Sequence, residues 1–167
     1  MTNRELNQRL LELAREYARI AAQLLGDNLV SVVLFGSVAR GEAHERSDID
    51  LLVIFDQLPK GAFKRRAVLE PVRAKLTPKL EQLWQQGIYA DFVEIIHTKD
   101  EAREPRLYYL DMTEDAIVLF DKDKFFSQVL GNLRAKLKSL GSQRRTIGKT
   151  RYWDLKPDFR PGETVEL

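Results

Sequence analysis

Two aspartates, Asp48 and Asp50, open an otherwise apolar run, DIDLLVIF at 48–55. Because side chains alternate across a strand, both carboxylates lie on one face of it, and Ile49 and Leu51 lie on the other. Neighbouring carboxylates at the start of a buried strand repel each other and are costly to desolvate. Mg²⁺ removes that cost, since it binds one or two carboxylates together with waters and substrate phosphates. We therefore predict that Asp48 and Asp50 bind Mg²⁺ or Mn²⁺.

A glycine–serine pair, Gly36-Ser37, stands where a predicted strand over 29–35 meets one predicted helical turn over 37–40. Glycine lets the backbone turn sharply and lets a ligand approach closely. Amides at the start of a helix, together with the Ser37 hydroxyl, can bind a phosphate. A phosphate-binding turn beside a metal-binding pair is the arrangement that nucleotidyl transfer requires.

The stretch GSVARGEAHERSDIDLLV at 36–53 resembles the signature of the polymerase-β-like nucleotidyltransferase superfamily, especially its minimal prokaryotic members. The resemblance implies a nucleotidyltransferase fold and a nucleoside triphosphate substrate, which we expect to be ATP. It implies transfer of AMP to an acceptor hydroxyl, with release of pyrophosphate. Gly36, Ser37 and Arg40 are assigned to nucleotide binding by this resemblance, which also implies a third carboxylate on a neighbouring strand.

Asp91 and Glu94, both on a predicted third strand over 88–97, are the candidates for that third carboxylate. The connection from the second strand is long and mostly helical, which is typical of a crossover between parallel strands. In that arrangement Asp91 lies at the same end of the sheet as the aspartate pair. Glu94 lies roughly 10 Å further along the strand and points to the opposite face. We predict Asp91 as the catalytic carboxylate, with Glu94 as the alternative.

Helices and strands alternate along the chain, which predicts an α/β (α+β) domain with a mixed sheet of about four strands and flanking helices. Thr2 and Glu5 have capping-box spacing at the start of a first helix that ends at Gly26. A helical segment over 62–86 follows the second strand, and Thr77-Pro78 predicts a break in it. The remaining predicted elements are a short helix at 106–112, a strand at 116–120 and an amphipathic helix over 126–140.

Residues 1–141 are predicted to form the nucleotidyltransferase domain, and residues 142–167 a basic, aromatic tail packed on it or extending from it. The stretch 131–160 has a net charge of +7, although the whole chain carries +2. Such a stretch favours a polyanion, an acidic partner or nucleotide phosphates, unless it is simply a solvated helix and tail. Tyr152-Trp153 gives only thin support for nucleic-acid binding. The basic residues of the stretch are Arg134, Lys136, Lys138, Arg144, Arg145, Lys149, Arg151, Lys156 and Arg160.

Composition limits the classes of protein that fit. The chain has 44% hydrophobic and 31% charged residues, as is ordinary for a globular protein. No apolar run approaches the ~18 residues of a membrane-spanning helix, and the charged N-terminus lacks a secretory core. The lack of cysteine excludes disulfides and thiolate metal sites and fits a cytoplasmic protein. His44 and His97 are interpreted as a loop and a strand-end residue, so no zinc site is expected.

The acceptor, the base preference and the oligomeric state stay open. The acceptor is a protein, as in toxin–antitoxin pairs with similar minimal enzymes, or a small molecule, as in enzymes that inactivate aminoglycosides. The alternative function is a non-catalytic nucleotide-binding or scaffold protein, antitoxin-like, that retains the fold. The apolar stripe of the last helix predicts either core or a subunit interface, which leaves a homo-oligomer open.

Overall fold

Four strands form the central sheet: β1 (Leu29–Phe35), β2 (Ile49–Phe55), β3 (Phe92–Thr98) and β4 (Ile117–Asp121). Their order is β3-β2-β1-β4. β1 runs antiparallel to β2 and β4, whereas β2 and β3 are parallel. The computed structural model describes residues 2–148, 150–160 and 162–167, so Lys149 of the basic stretch lies outside the described residues, as do Met1 and Pro161. The predicted mixed sheet is confirmed.

Helices cover both faces of the sheet. The first, α1 (Asn3–Leu25), begins with the predicted capping box, in which Thr2 and Glu5 exchange side-chain and backbone hydrogen bonds. A short turn after β1 is α2 (Gly36–Ala39), and the two connections between β2, β3 and β4 and the segment after β4 supply the rest. These are α3 (Ala62–Ala67), α4 (Glu70–Gln85), α5 (Lys99–Arg103), α6 (Leu107–Asp115) and α7 (Phe125–Ser139).

Alternate residues of the strands face two separate hydrophobic clusters. Ile49 and Leu51 of β2 belong to a first cluster with α1 and α4. Leu52 and Ile54 belong to a second cluster with α6 and α7. Burial of apolar surface is worth about 25 cal/mol per Å², so packing on both faces stabilises the sheet. The alternation of side chains along β2 decides which of the two clusters each residue joins.

The break in the helical segment over 62–86 lies at a different proline from the one predicted. The chain turns between α3 and α4, where Pro71 occupies the first turn of α4, a position that needs no N–H donor. Pro78 lies inside α4 without ending it. The hydroxyl of Thr77 donates to the carbonyl of Arg73 at 3.0 Å, which satisfies an acceptor one turn away. The predicted break at Thr77-Pro78 is therefore wrong.

The tail folds into a hairpin of β5 (Gln143–Ile147) and β6 (Thr150–Asp154), which sequence periodicity did not predict. Trp153 and Leu155 pack against the second cluster. Arg144 contacts Asp115 at 2.5 Å, and three further basic side chains in the described part of the tail also form ion pairs, which offset part of its positive charge. Those further pairs are Arg145–Asp154, Arg151–Glu42 and Lys156–Glu163.

None of the helices in the described part of the chain combines the length and the apolar character needed to cross a membrane.

Candidate active site

Gly36 makes the turn between β1 and α2 and lies directly against Asp50. Its φ of +73° is in the left-handed region, which glycine adopts without the steric cost of a side chain. A Cβ built on Gly36 would lie 2.1 Å from Oδ2 of Asp50 and 3.0 Å from its Cγ. The motif glycine therefore lets the backbone approach this carboxylate closely, and any side chain here would displace the carboxylate, whether or not a ligand is bound.

Asp50 and Asp48 lie where β2 enters the core. Phe35 is the cross-strand partner of Asp50, which places this carboxylate at the common end of β1 and β2. Burial raises the pKa of Asp50, the charge of Asp48 raises it further, and Arg40 lowers it. Within the described residues, neither aspartate forms a salt bridge. The pair is thus a concentration of negative charge that Arg40 offsets only in part, with no salt bridge among those residues.

A compact loop holds the chain immediately before Asp48. Ser47 is buried, its Oγ accepts from the backbone N–H of His44 at 3.0 Å, and its own N–H donates to the His44 carbonyl at 2.9 Å. The His44 side chain is exposed, and its Nδ1 accepts from the N–H of Arg46 at 3.2 Å. Ser47 and His44 therefore close the loop that leads into the aspartate pair.

Asp91 lies beside this pair, one residue before β3. Its carbonyl accepts from the N–H of Ile49 at 2.8 Å, and its N–H donates to Oδ1 of Asp48 at 3.3 Å. The Asp91 side chain is exposed, and its Oδ1 accepts from the N–H of Phe92 at 2.7 Å. Val93, the next residue on the same face, is the register partner of Asp50. Asp91 therefore adjoins Asp48 through its backbone, at the end of the sheet where β2 and β3 begin.

Glu94 is committed to the opposite face. Its side chain is only 3% exposed. It accepts from Nε of Arg73 at 2.8 Å and from the hydroxyl of Tyr17 at 3.2 Å, which joins β3 to α4 and α1. Burial raises the pKa of Tyr17, and the Glu94 carboxylate raises it further. From the sequence we expect Glu94 to form a salt bridge on the face away from the aspartates, and its contact with Arg73 is such a bridge. Asp91 as the third catalytic carboxylate stays a prediction.

Ser37 and Arg40 lie on α2 and at its end. Within the described residues the Ser37 hydroxyl makes no hydrogen bond, whereas Nε of Arg40 donates to Glu42 at 2.8 Å. Glu42 also accepts from Arg151 of the hairpin. Arg151 first, and Arg40 second, lower the pKa of Glu42 to about 2. Arg40 is thus held by a carboxylate that it shares with the tail, at the edge of the site.

Two residues at this edge were missed from the sequence. Glu42 lies in the polar loop after α2, and Arg151 lies more than a hundred residues further along the chain. The positive charge of the tail indicates that Arg151 has an acidic partner or ligand. That charge does not identify Glu42 as the carboxylate that Arg151 contacts.

The chemistry of the donor set fits a divalent cation. Mg²⁺ needs only one or two carboxylates when waters and substrate phosphates complete its shell. Asp48 and Asp50 supply two carboxylates that form no salt bridge with any described residue, beside a turn whose first amides have no acceptor within α2. No group of three or more acidic or histidine side chains suited to a metal occurs in ranges 2–148, 150–160 and 162–167. The pair therefore fits a cation whose coordination shell is completed by the substrate and water. It fits less well a cation bound by protein ligands alone.

Comparison with known proteins agrees with this arrangement. The family model described as "Nucleotidyltransferase domain" matches residues 14–118. The provisionally named protein adenylyltransferase MJ1305 of Methanocaldococcus jannaschii is 32% identical over 133 residues, which covers 75% of this chain and 81% of that protein. A second protein of that organism with the same provisional description, MJ0141, is 34% identical over 80 residues, covering 48% of this chain and 79% of its own length.

Solved structures that are similar include a crystal structure of a toxin–antitoxin complex with AMP-PNP, with 19% identity, a TM-score of 0.42, and coverage of 74% of this chain and 92% of that one. A structure of the toxin–antitoxin MntA–HpeT carrying two substitutions has 14% identity, a TM-score of 0.38, and coverage of 81% and 92%.

Proposed function

The chain belongs to the nucleotidyltransferase domain family, and from this premise we propose that it transfers AMP from ATP to a hydroxyl group of a protein and releases pyrophosphate. The observation that carries the proposal is the contact between the Gly36 backbone and the Asp50 carboxylate. It joins the turn suited to phosphate and the aspartate pair suited to a cation in one site. The names of the relatives support AMP as the transferred group and a protein as the acceptor.

In the proposed reaction an acceptor oxygen attacks the α-phosphorus of ATP, and a new P–O bond forms there. The bond from that phosphorus to the oxygen bridging the β-phosphate breaks, and pyrophosphate leaves. The proton of the acceptor hydroxyl passes to the carboxylate of Asp91. Ser37 and the amides of the turn at Gly36 bind the triphosphate. Asp48 and Asp50 would hold Mg²⁺, which when bound neutralises charge on the phosphate oxygens.

The order of the strands supports this division of roles. Asp91 is next to β2 on the β3 side, and Gly36 and Ser37 follow β1 on the other side. In-line displacement places the attacking and leaving oxygens on opposite sides of the phosphorus. An acceptor that enters over β3 therefore meets a phosphate bound over α2.

With no cysteine in the chain, we expect this reaction in the cytoplasm.

The proposal is tested with ATP radiolabelled at either the α- or the γ-phosphate. The purified protein is incubated with Mg²⁺ and a lysate of its host that has been depleted of nucleotide. We expect a protein band labelled from the α-phosphate alone, and no band with the Asp48→Asn variant. Label from the γ-phosphate, or equal α-label in wild type and variant, would show that this assignment is wrong.

A second candidate is a nucleotide-binding protein without turnover. It is favoured by one observation, namely that Oδ1 of Asp91 already accepts from the N–H of Phe92. The discriminating measurement is calorimetric binding of α,β-methylene ATP with Mg²⁺ alongside the labelling assay. Tight binding with no α-label in any acceptor fraction would favour this candidate over the transferase.

A further inference from the structure

A small slot opens beside Gly36 on the second face of the sheet. Its volume is about 170 Å³, and Phe35, Tyr108, Met112 and Asp111 line it together with Gly36. A dry cavity of about 150 Å³ holds a benzene ring, so a slot of about this size has room for a planar ring of a base. Asp111 and Arg40 also line a separate cleft of about 470 Å³, together with Arg144 and Arg151 of the hairpin.

Two aromatic rings form one wall of the slot. The rings of Phe35 and Tyr108 are inclined by 25°, with centroids 6.5 Å apart. The hydroxyl of Tyr108 lies 2.7 Å from Nε2 of His97, which fixes the orientation of the ring. Aromatic faces bind bases by stacking. The wall is therefore a preformed surface for a base, next to the turn that the proposed function gives to phosphate.

A carboxylate held by the hairpin stands at the rim. Oδ1 of Asp111 accepts from Nε1 of Trp153 at 3.0 Å and lies 3.5 Å from Nε of Arg144. Arg144 is anchored in turn by Asp115 at 2.5 Å. Within the described residues, Oδ2 of Asp111 makes no hydrogen bond. An ionised carboxylate only accepts hydrogen bonds, so the free oxygen suits a ligand that presents an amino group.

We propose that this slot binds the base of the nucleotide, with Phe35 and Tyr108 stacking on it and Asp111 accepting from the amino group of adenine. The inference rests on the proposed function, because a triphosphate bound at Gly36 is what brings the base to the slot. The C-terminal hairpin then takes part in base selection, since Trp153 and Arg144 orient Asp111.

The experiment measures dissociation constants by calorimetry, in Mg²⁺, for three probes. These are ATP, inosine triphosphate, which has a carbonyl oxygen in place of the amino group, and tripolyphosphate, which has no base. One hydrogen bond to a charged group predicts about tenfold tighter binding of ATP than of inosine triphosphate. In Asp111→Asn we expect that preference to fall to about twofold or less, with tripolyphosphate affinity unchanged. Glu114→Gln, an equal change of charge on the exposed side of α6, keeps the preference.

The aromatic wall gives an independent test. Tyr108→Ala is expected to weaken ATP binding about tenfold by loss of stacking, again with tripolyphosphate affinity unchanged. Leu107→Ala is the matched control, because this neighbouring side chain is 75% exposed.

The outcomes separate the two proposals. If wild type binds none of the three probes in Mg²⁺, the proposed function fails and this inference fails with it. If tripolyphosphate and ATP bind but the wild type does not distinguish ATP from inosine triphosphate, the proposed function stands and the base slot is wrong. Preference for a nucleotide without the amino group, or an unchanged preference in Asp111→Asn, overturns the role of Asp111.

Discussion

Replacing Gly36 by alanine tests the central geometry of the site. The added Cβ would stand 2.1 Å from Oδ2 of Asp50, 3.0 Å from Cγ and 3.3 Å from Cβ. The carboxylate can rotate about its χ1 and χ2 bonds, but it must then leave its present position by about an ångström to reach ordinary contact. The φ of +73° adds backbone strain, because an L-residue in the left-handed region costs about 1–2 kcal/mol.

Gly41→Ala is the matched control for that strain. Gly41 has the same φ of +73°, and a Cβ built there meets no atom within 4 Å. Both variants should therefore lose about 1–2 kcal/mol of unfolding free energy from the backbone. Gly36→Ala should lose about 1 kcal/mol more, the cost of an unfavourable Asp50 rotamer.

The larger effect of Gly36→Ala falls on ligand binding. Misplacing a group of the site by about 1 Å costs on the order of a hundredfold in rate, and we expect at least a tenfold loss of affinity for Mg²⁺ with α,β-methylene ATP. Urea unfolding without metal measures the stabilities, and calorimetry measures the affinities. In Gly41→Ala the affinity should stay within about twofold of wild type.

Equal affinities in the two alanine variants would refute this reasoning, since only Gly36 approaches a carboxylate. A Gly36→Ala variant that is no less stable than Gly41→Ala but still binds poorly would instead assign the whole effect to ligand contact with the backbone.

Three further predictions concern the carboxylates. Burial and the charge of Asp48 raise the pKa of Asp50 above its ordinary value of 3.8. The metal-free wild type should therefore lose stability as the pH rises from 3.8 through the raised pKa of Asp50. Urea unfolding between pH 3.5 and 7 should show no such loss in Asp50→Asn, which should also no longer be stabilised by Mg²⁺ with ATP. Glu94→Gln should lose about 1–3 kcal/mol of stability and keep its activity per folded molecule. Asp91→Asn should lose turnover and keep its stability. The reverse pattern would exchange the roles of the two carboxylates. Arg151→Ala should cost less than about 1 kcal/mol of stability by urea unfolding, as loss of an exposed ion pair does. The pKa of Glu42, followed by NMR titration, should rise from about 2 toward its ordinary value. An unmoved pKa would show that Arg151 is not the main partner of Glu42.

Local chemistry is enough to group the first residues of the candidate site, whose roles stay predictions. Gly36, Asp48 and Asp50 stand within a short stretch, and strand periodicity alone places both carboxylates on one face. The opposite orientations of Asp91 and Glu94 follow from the same periodicity once β2 and β3 are parallel, which the long helical connection indicated. The nucleotidyltransferase family and the mixed sheet, both predicted from these residues, are confirmed.

The remainder depends on contacts between distant segments. The strands β5 and β6 have the sequences QRRTI and TRYWD, in which apolar and polar residues do not alternate and no side chain is fully buried, so they carry no strong strand periodicity. The partners of Arg151 and Trp153 are Glu42 and Asp111, and nothing local to either segment identifies the other. Pro78 was misjudged because a helix can absorb one missing N–H when packing on the rest of the helix outweighs it.

The alternation along β3 has a consequence for how this chain can vary. Residues that face α1 and α4, such as Glu94 and Phe92, are constrained by packing, whereas Val93 on the other face is 44% exposed beside the aspartates. Val93 is the one exposed residue of β3, because Ile95 packs against the second cluster and the His97 ring contacts the hydroxyl of Tyr108. A saturation library across this strand should therefore concentrate its tolerated changes at Val93. Substitutions there can alter the surface beside the aspartates without disturbing the packing that holds β3 in the sheet.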